Sequence, residues 1–325
     1  MQYKFKTDKE SLVKHFILID GISRTGKFLL GKIVSGFTDT EFFQYVSMIE
    51  HLPYLHRLGQ LSEEAAIAML KVNVDEHAYN MRIGRNLNLR YYDASSLYNS
   101  NEIDEYLKRS LTKNIDNIVE SFHHTNRSSV FITHETLPNI HILFKAYPSI
   151  KIIHLIRHPI DLIHSWYLRG WGHRFGGDPL SFIPVLKGKN EGIPWFAYQW
   201  QESYESLSTM DRIIKNIHSV TEMSRETYNQ LSANQKNQIV MIQYEKLVEQ
   251  SNETIEKIAS FLNVNISDRM QSILAREKCP SKLEIEKRLK KKHEILALAS
   301  SMGTHQLMDM TTNYEQIESE SNYYE

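Results

Sequence analysis

The chain of 325 residues contains one cysteine, so it can form neither an internal disulfide nor a cysteine-based metal cluster. That scarcity fits a reducing compartment, and the expected location is cytoplasmic. Proline (8) and glycine (13) are few, which excludes collagen-like and low-complexity architectures. Neither sign of charge dominates: 38 Lys plus Arg against 39 Asp plus Glu leave a net charge of −1. Proteins that coat nucleic acid carry a basic surplus, so nucleic acid is not an expected partner. No apolar run approaches the roughly 18 residues of a membrane span. The amino-terminal MQYKFKTDKESLVKH has no apolar stretch of the signal-peptide kind. His154, His158 and His164 do not share ligand spacing, no HExxH occurs, and the pair His123-His124 is a weak signal, so no metal is expected.

What is present is an alternation of strands and helices. Four short runs rich in Ile, Val, Leu or Phe lie at 15–20, 130–134, 152–157 and 239–244. Near-continuous apolar runs of this length predict parallel strands covered on both faces. Helical spacing follows at 28–34, at 159–169 with Pro159 in the first helical position, and at 252–262 with Asn252 as the cap. The expected fold is α/β, a three-layer sandwich with a central parallel sheet of the P-loop-containing nucleotide-hydrolase kind. A single domain, 1–325, is expected, with a core at about 14–265 and a C-terminal helical extension at 266–325. Residues 170–193 read as a long surface loop, a candidate lid. In the extension, 276–293 carries eight Lys/Arg against three Asp/Glu, and 294–325 carries six acids and no Lys or Arg.

The first strand runs into Gly21-Ile22-Ser23-Arg24-Thr25-Gly26-Lys27-Phe28 and then a helix. A strand–turn–helix of this kind aims backbone N–H groups and the positive end of the helix dipole at an anion. Gly21 and Gly26 permit the tight turn, and Arg24 and Lys27 add charge. Residues 21–27 fit G-x-x-x-x-G-K, but Phe28 stands where a nucleoside triphosphatase has the hydroxyl that ligates Mg²⁺. A second anion site is predicted where Arg157 ends a strand, Pro159 opens a helix and Ser165 follows on it. Asp161 is expected to favour that helix's N-terminus through the dipole.

These segments resemble the PAPS-dependent sulfotransferases. The family's 5′-phosphosulfate loop, G-x-P-[RK]-S-G-T-[TS], resembles Gly21 to Phe28. Its 3′-phosphate motif, R-[ND]-P-x-D-x-x-x-S, resembles Arg157 to Ser165. Its Y-E-x-L pair with I-x-x-F-L looks like Tyr244-Glu245-Lys246-Leu247 followed by Ile258 to Leu262. Ser23, Lys27, Phe28 and His158 depart from the pattern. The resemblance implies transfer of a sulfuryl group from PAPS, leaving PAP, to a hydroxyl or amine acceptor without a metal. The acceptor is a small molecule or a carbohydrate, the latter guessed because no apolar pocket is evident. Arg24 and Lys27 would neutralise the leaving phosphate. Gly21, Ser23, Thr25, Gly26 and Phe28 would frame the donor, and Arg157 and Ser165 would read its 3′-phosphate. The base is His134, where the cytosolic branch has Lys-Thr-His, or Glu50, where other branches place a glutamate. Rival readings are a P-loop nucleotide kinase or NTPase and an inactive nucleotide-binding protein of the same fold. Weaker candidates are the polar run Arg82, Arg85, Arg90, Asp93, Ser95 and Ser96, the aromatics Trp166, Trp171, Trp195, Tyr198 and Trp200, and the basic Arg276-Glu277-Lys278.

Overall fold

The computed structural model describes residues 3–113, 115, 120 and 124–317. The four expected strands form within two residues of their sequence bounds: β1 Phe16–Asp20, β3 Ser129–Ile132, β4 Lys151–Ile156 and β7 Ile239–Gln243. A fifth, β2 Gln44–Tyr45, is too short to leave a sequence signal. The order is β2-β3-β1-β4-β7 and every pairing is parallel. In register, Leu18 faces Phe131 on one side and Ile152 on the other. Phe16, Leu18, Phe131 and Ile152 enter one apolar cluster, while Ile17, Ile19, Ile132 and Ile153 enter another. Both sheet faces are therefore covered, which is why each strand reads as an unbroken apolar run.

Helix Lys27–Val34 follows β1, and helix Pro159–Leu168 follows β4. Pro159 occupies the start of the latter, and His158 caps it by accepting the Ile160 N–H at 3.3 Å. Asn252 is not a cap. Helix Tyr244–Glu249 ends one residue before helix Ser251–Leu262, so the joint at Gln250 sets the start and Asn252 sits exposed in the first turn. The segment 170–193 is not wholly a loop: β5 Val185–Lys187 pairs antiparallel with β6 Gly192–Pro194.

The C-terminal helices Ile285–Leu298 and Ser301–Ile317 are built into the body. Ile295, Leu307 and Met310 share a cluster with Ile160, Ile163, Trp166 and Ile213. Asp161 does more than favour a dipole. Its carboxylate accepts from Arg288 Nε at 2.8 Å and Lys291 Nζ at 2.5 Å, and Arg288 also reaches Glu245 at 3.3 Å. The basic stretch is thus partly consumed by the core. Because β1 lies between β3 and β4, a crevice opens beyond the carboxyl ends of these strands. Gly21, Thr133, Arg157 and Tyr244 leave the sheet at that edge, and helix Ser47–Arg57 brings Glu50 there after β2.

Candidate active site

At the end of β1, Asp20 is fully buried. It accepts hydrogen bonds from Thr133 Oγ1 (3.1 Å) and from the N–H groups of Thr136 (3.0 Å) and Leu137 (2.9 Å), and lies 3.2 Å from His154 Nδ1. Burial alone would raise its pKa; His154, Lys27 and the Thr136 amide outweigh it and hold the carboxyl well below the usual range. This anchor makes the following turn rigid. Gly21 and Gly26 have φ of 148° and 105°. A Cβ on Gly21 would lie 2.2 Å from the Leu155 carbonyl oxygen, and one on Gly26 would lie 2.5 Å from the Tyr244 ring. Tyr244 also lies under the Arg157 guanidinium, 4.4 Å from ring centre to charge. The three separate sequence segments therefore meet at one aromatic ring.

The loop opens onto a cleft of about 490 Å³. Arg24, Lys27, Arg157, Arg169 and Arg174 line it, and among the described residues no carboxylate does. Arg24 donates from Nε to Ser165 Oγ at 3.1 Å, and Arg157 donates from Nη1 to the Arg24 carbonyl at 2.9 Å. The two predicted anion sites are thus in contact. Burial, with Arg169 and Arg157 nearby, pushes the Arg24 pKa down. Such mutual repulsion is what an anion relieves on binding. Phe28 and Gly26 complete the lining, and Phe28 packs edge-on against Phe43 at 5.7 Å.

Three loop residues differ from expectation. Lys27 is 2% exposed, and its ammonium donates to the carbonyls of Gly21 (2.5 Å) and Ile22 (2.8 Å), so it braces its own turn as well as lining the cleft. Ser23 does not offer its N–H to a ligand, because that group donates to Glu135 Oε1 at 2.5 Å. Thr25 buries its Oγ1 without a partner and lines a separate cavity of about 50 Å³.

A second cavity, of about 190 Å³, adjoins the cleft at His134, Trp171 and Leu180. His134 and Glu50, the two rival bases, line it together. Glu50 Oε2 accepts the His134 backbone N–H at 2.5 Å and lies 3.3 Å from Nδ1, which is not aligned for a hydrogen bond. Tyr45 donates to Glu50 Oε1 at 3.0 Å. Burial pushes the Glu50 pKa up to about 7, against the His134 N–H bond. Burial, then Lys27, pushes His134 down to about 3. Glu135, at φ 50°, is also buried, and burial raises its pKa. Sequence reading missed Glu135, Arg169 and Arg174; nothing in their local pattern marks them.

The weaker candidates scatter. Trp166 is 1% exposed and donates from Nε1 to the Ser23 carbonyl at 2.8 Å, so it holds the loop from below while also lining the second cavity. Trp195 stacks on Tyr54 in the core, Trp200 donates to Ser219, and Tyr198 lies beside Arg57; only Trp171 reaches both cavities. Of the 81–96 run, Arg82 pairs with buried Glu41, Arg85 lies over Tyr79, Arg90 pairs with Asp93, and Ser95 and Ser96 bond to Asn88; Ala94 alone lines the cleft. Arg276 is tied to Asn99 and Asn101, and Glu277 to Lys32. His123 lies outside the described residues, as does the end of the acidic tail. Among the described residues no cluster of three or more His, Cys, Asp or Glu is placed to hold a metal, and no helix is long and apolar enough to cross a membrane.

The family model described as "Sulfotransferase domain" matches residues 14–291. The chain belongs to this sulfotransferase family. Similar solved structures include a sulfotransferase domain from the curacin biosynthetic pathway, 15% identical, covering 79% of this chain and 77% of that one with a TM-score of 0.44. The sulfotransferase domain of the Synechococcus PCC 7002 olefin synthase is 14% identical over 95% of this chain and 98% of that one, with a TM-score of 0.45. A mouse sulfotransferase complexed with PAP is 12% identical over 96% and 88%, with a TM-score of 0.41. No curated protein matches the chain.

Proposed function

We propose that this sulfotransferase uses PAPS as donor and acts as a single domain on a small molecule bearing a hydroxyl or amine. The observation that carries this is the cationic cleft joined to a second cavity through His134. The 5′-phosphosulfate would sit on the loop, with Arg24 and Lys27 facing the oxygen that gains charge as its bond to sulfur breaks. Arg157 and Ser165 would take the 3′-phosphate, Ser165 exchanging its present Arg24 partner for the ligand. The acceptor oxygen forms the new bond to sulfur and gives its proton to His134, with Glu50, which holds the His134 backbone N–H, lying 3.3 Å from Nδ1 and balancing its charge. A bound donor would counter the charge of Lys27 and Arg24, the cations that now help depress His134, and so make it a stronger base.

Two observations weigh against a metal-dependent kinase or NTPase. Phe28 replaces the metal-binding hydroxyl, and Asp20 is spent on Thr133, Thr136, Leu137 and His154. The ground for a carbohydrate acceptor, the lack of an apolar pocket, is removed by the second cavity, whose walls include Phe175, Ile183 and Phe196. The reading is tested by calorimetry with PAP, PAPS and ATP, each with and without Mg²⁺. Metal-independent PAP binding that is lost in Arg157→Ala supports it, and ATP binding that demands Mg²⁺ overturns it. PAP binding without sulfuryl transfer across a broad acceptor panel points instead to an inactive nucleotide-binding protein.

A further inference from the structure

The two adjoining cavities are opposite in charge. Lys and Arg residues line the donor cleft, whereas among the described residues no Lys or Arg lines the second cavity. Its polar end is made by Tyr45, Glu50, His134 and Glu135. Glu50 is met by the neutral Tyr45 hydroxyl, the His134 amide and two imidazoles, and Glu135 by the Ser23 amide. Among the described residues no Lys or Arg forms an ion pair with either. Lys27, whose ammonium is bound to the Gly21 and Ile22 carbonyls, is felt by Glu135, Asp20 and Glu50 together, so one buried cation is shared among three carboxylates. Buried carboxylates that outnumber the cation they share are costly in the empty protein, and a cation from a ligand relieves that cost. Opposite this end the walls are apolar: Trp171, Phe175 and Ile183 line them, with Phe182 exposed at the rim.

We propose that the acceptor is an amphipathic hydroxylated amine. Its apolar body lies against Trp171 and Phe175, its ammonium faces Glu135, and its hydroxyl faces His134. Anionic acceptors, uronic-acid carbohydrates included, are rejected by the same carboxylates. The inference rests on the assignment of the second cavity to the acceptor.

The test uses three phenols of nearly equal size: tyramine (cation), 4-ethylphenol (neutral) and 4-hydroxyphenylacetate (anion). Their kcat/KM with PAPS, and their affinities for the protein saturated with PAP, are compared. Tyramine is expected to exceed 4-ethylphenol by about tenfold, as for a charge-assisted contact, and 4-hydroxyphenylacetate by more. Glu135→Gln, whose amide oxygen can still accept the Ser23 N–H, should bring the ratio of the first two towards one, and Phe175→Ala should weaken all three alike. A preference for the anion, or a tyramine preference unaltered by Glu135→Gln, overturns the proposal. Should PAP fail to bind, the donor assignment falls; the charge order of the three phenols on the free protein then still decides this inference.

Discussion

The cleft at Arg24 and Arg157 and the pocket at Glu50 and Glu135 share His134, Trp171 and Leu180, yet solve opposite problems. The cleft gathers cations that repel one another and are held in place by carbonyls, a serine and the Tyr244 ring. The pocket gathers carboxylates that burial drives towards their neutral forms. Each holds charge that its own interior does not balance, so each is best satisfied by a ligand of the opposite sign. The difference lies in how far the charge is withdrawn from water. Arg24 is exposed, whereas Glu50 and Glu135 are buried deeply enough for their protonation to be tuned.

The sharpest way to separate the two regions is at their junction. His134→Ala should lower kcat by about 10²–10⁴-fold, the usual worth of a positioned base, with PAP affinity changed less than about threefold. Unchanged turnover in that variant, with loss in Glu50→Gln, would move the base to Glu50. Next in size, Arg157→Ala should weaken PAP binding by about 2–4 kcal/mol in calorimetry while sparing acceptor affinity. Equal losses at both sites would show that the cavities are not independent. Gly26→Ala should cost about 1–3 kcal/mol of stability in denaturant melts, since a left-handed φ and the Tyr244 ring both oppose the methyl group.

A smaller effect distinguishes the pocket by pH. The Glu50 pKa of about 7 lies above its ordinary 4.5, so the fold favours the protonated acid. Its stabilising contribution is complete below the unfolded pKa and is lost as pH rises through about 7. Glu50→Gln should therefore raise Tm relative to the parent at pH 8 but not at pH 4. Activity should run the other way, rising through about pH 7 as the carboxylate forms to back His134. Smallest of all, Arg90→Ala should shift stability by under about 0.5 kcal/mol, because the Arg90–Asp93 pair is exposed.

Legibility followed the same division. Gly21, Gly26, Arg24 and Arg157 stood out because strand, turn and helix are consecutive in the chain, and an anion site at a strand end is a local device. Ser165 and Tyr244 were legible as parts of patterned segments, though not their contacts with Arg24 and Arg157. Glu50 and His134 were legible as alternatives, since each follows a strand or apolar run, but not as partners 84 residues apart. Glu135, Arg169 and Arg174 carried no signal because their neighbours in sequence are not their neighbours in space. Trp166 was legible as a pocket candidate, and it lines the second cavity; its donation to the Ser23 carbonyl, which ties that wall to the loop, was not legible.

From the sequence alone came the parallel sheet, the cationic strand–turn–helix at Gly21 to Lys27 and the Arg157 strand end. Apolar runs of strand length and residues adjacent to strand termini carry their geometry with them. Only the tertiary structure decided that Lys27 braces its own loop, that Asp161 ties down the C-terminal helices, and that Glu50, His134 and Glu135 share an acidic pocket. Those outcomes depend on which distant groups burial forces together. The cost of burying charge without a partner is set by that environment, not by the order of residues along the chain.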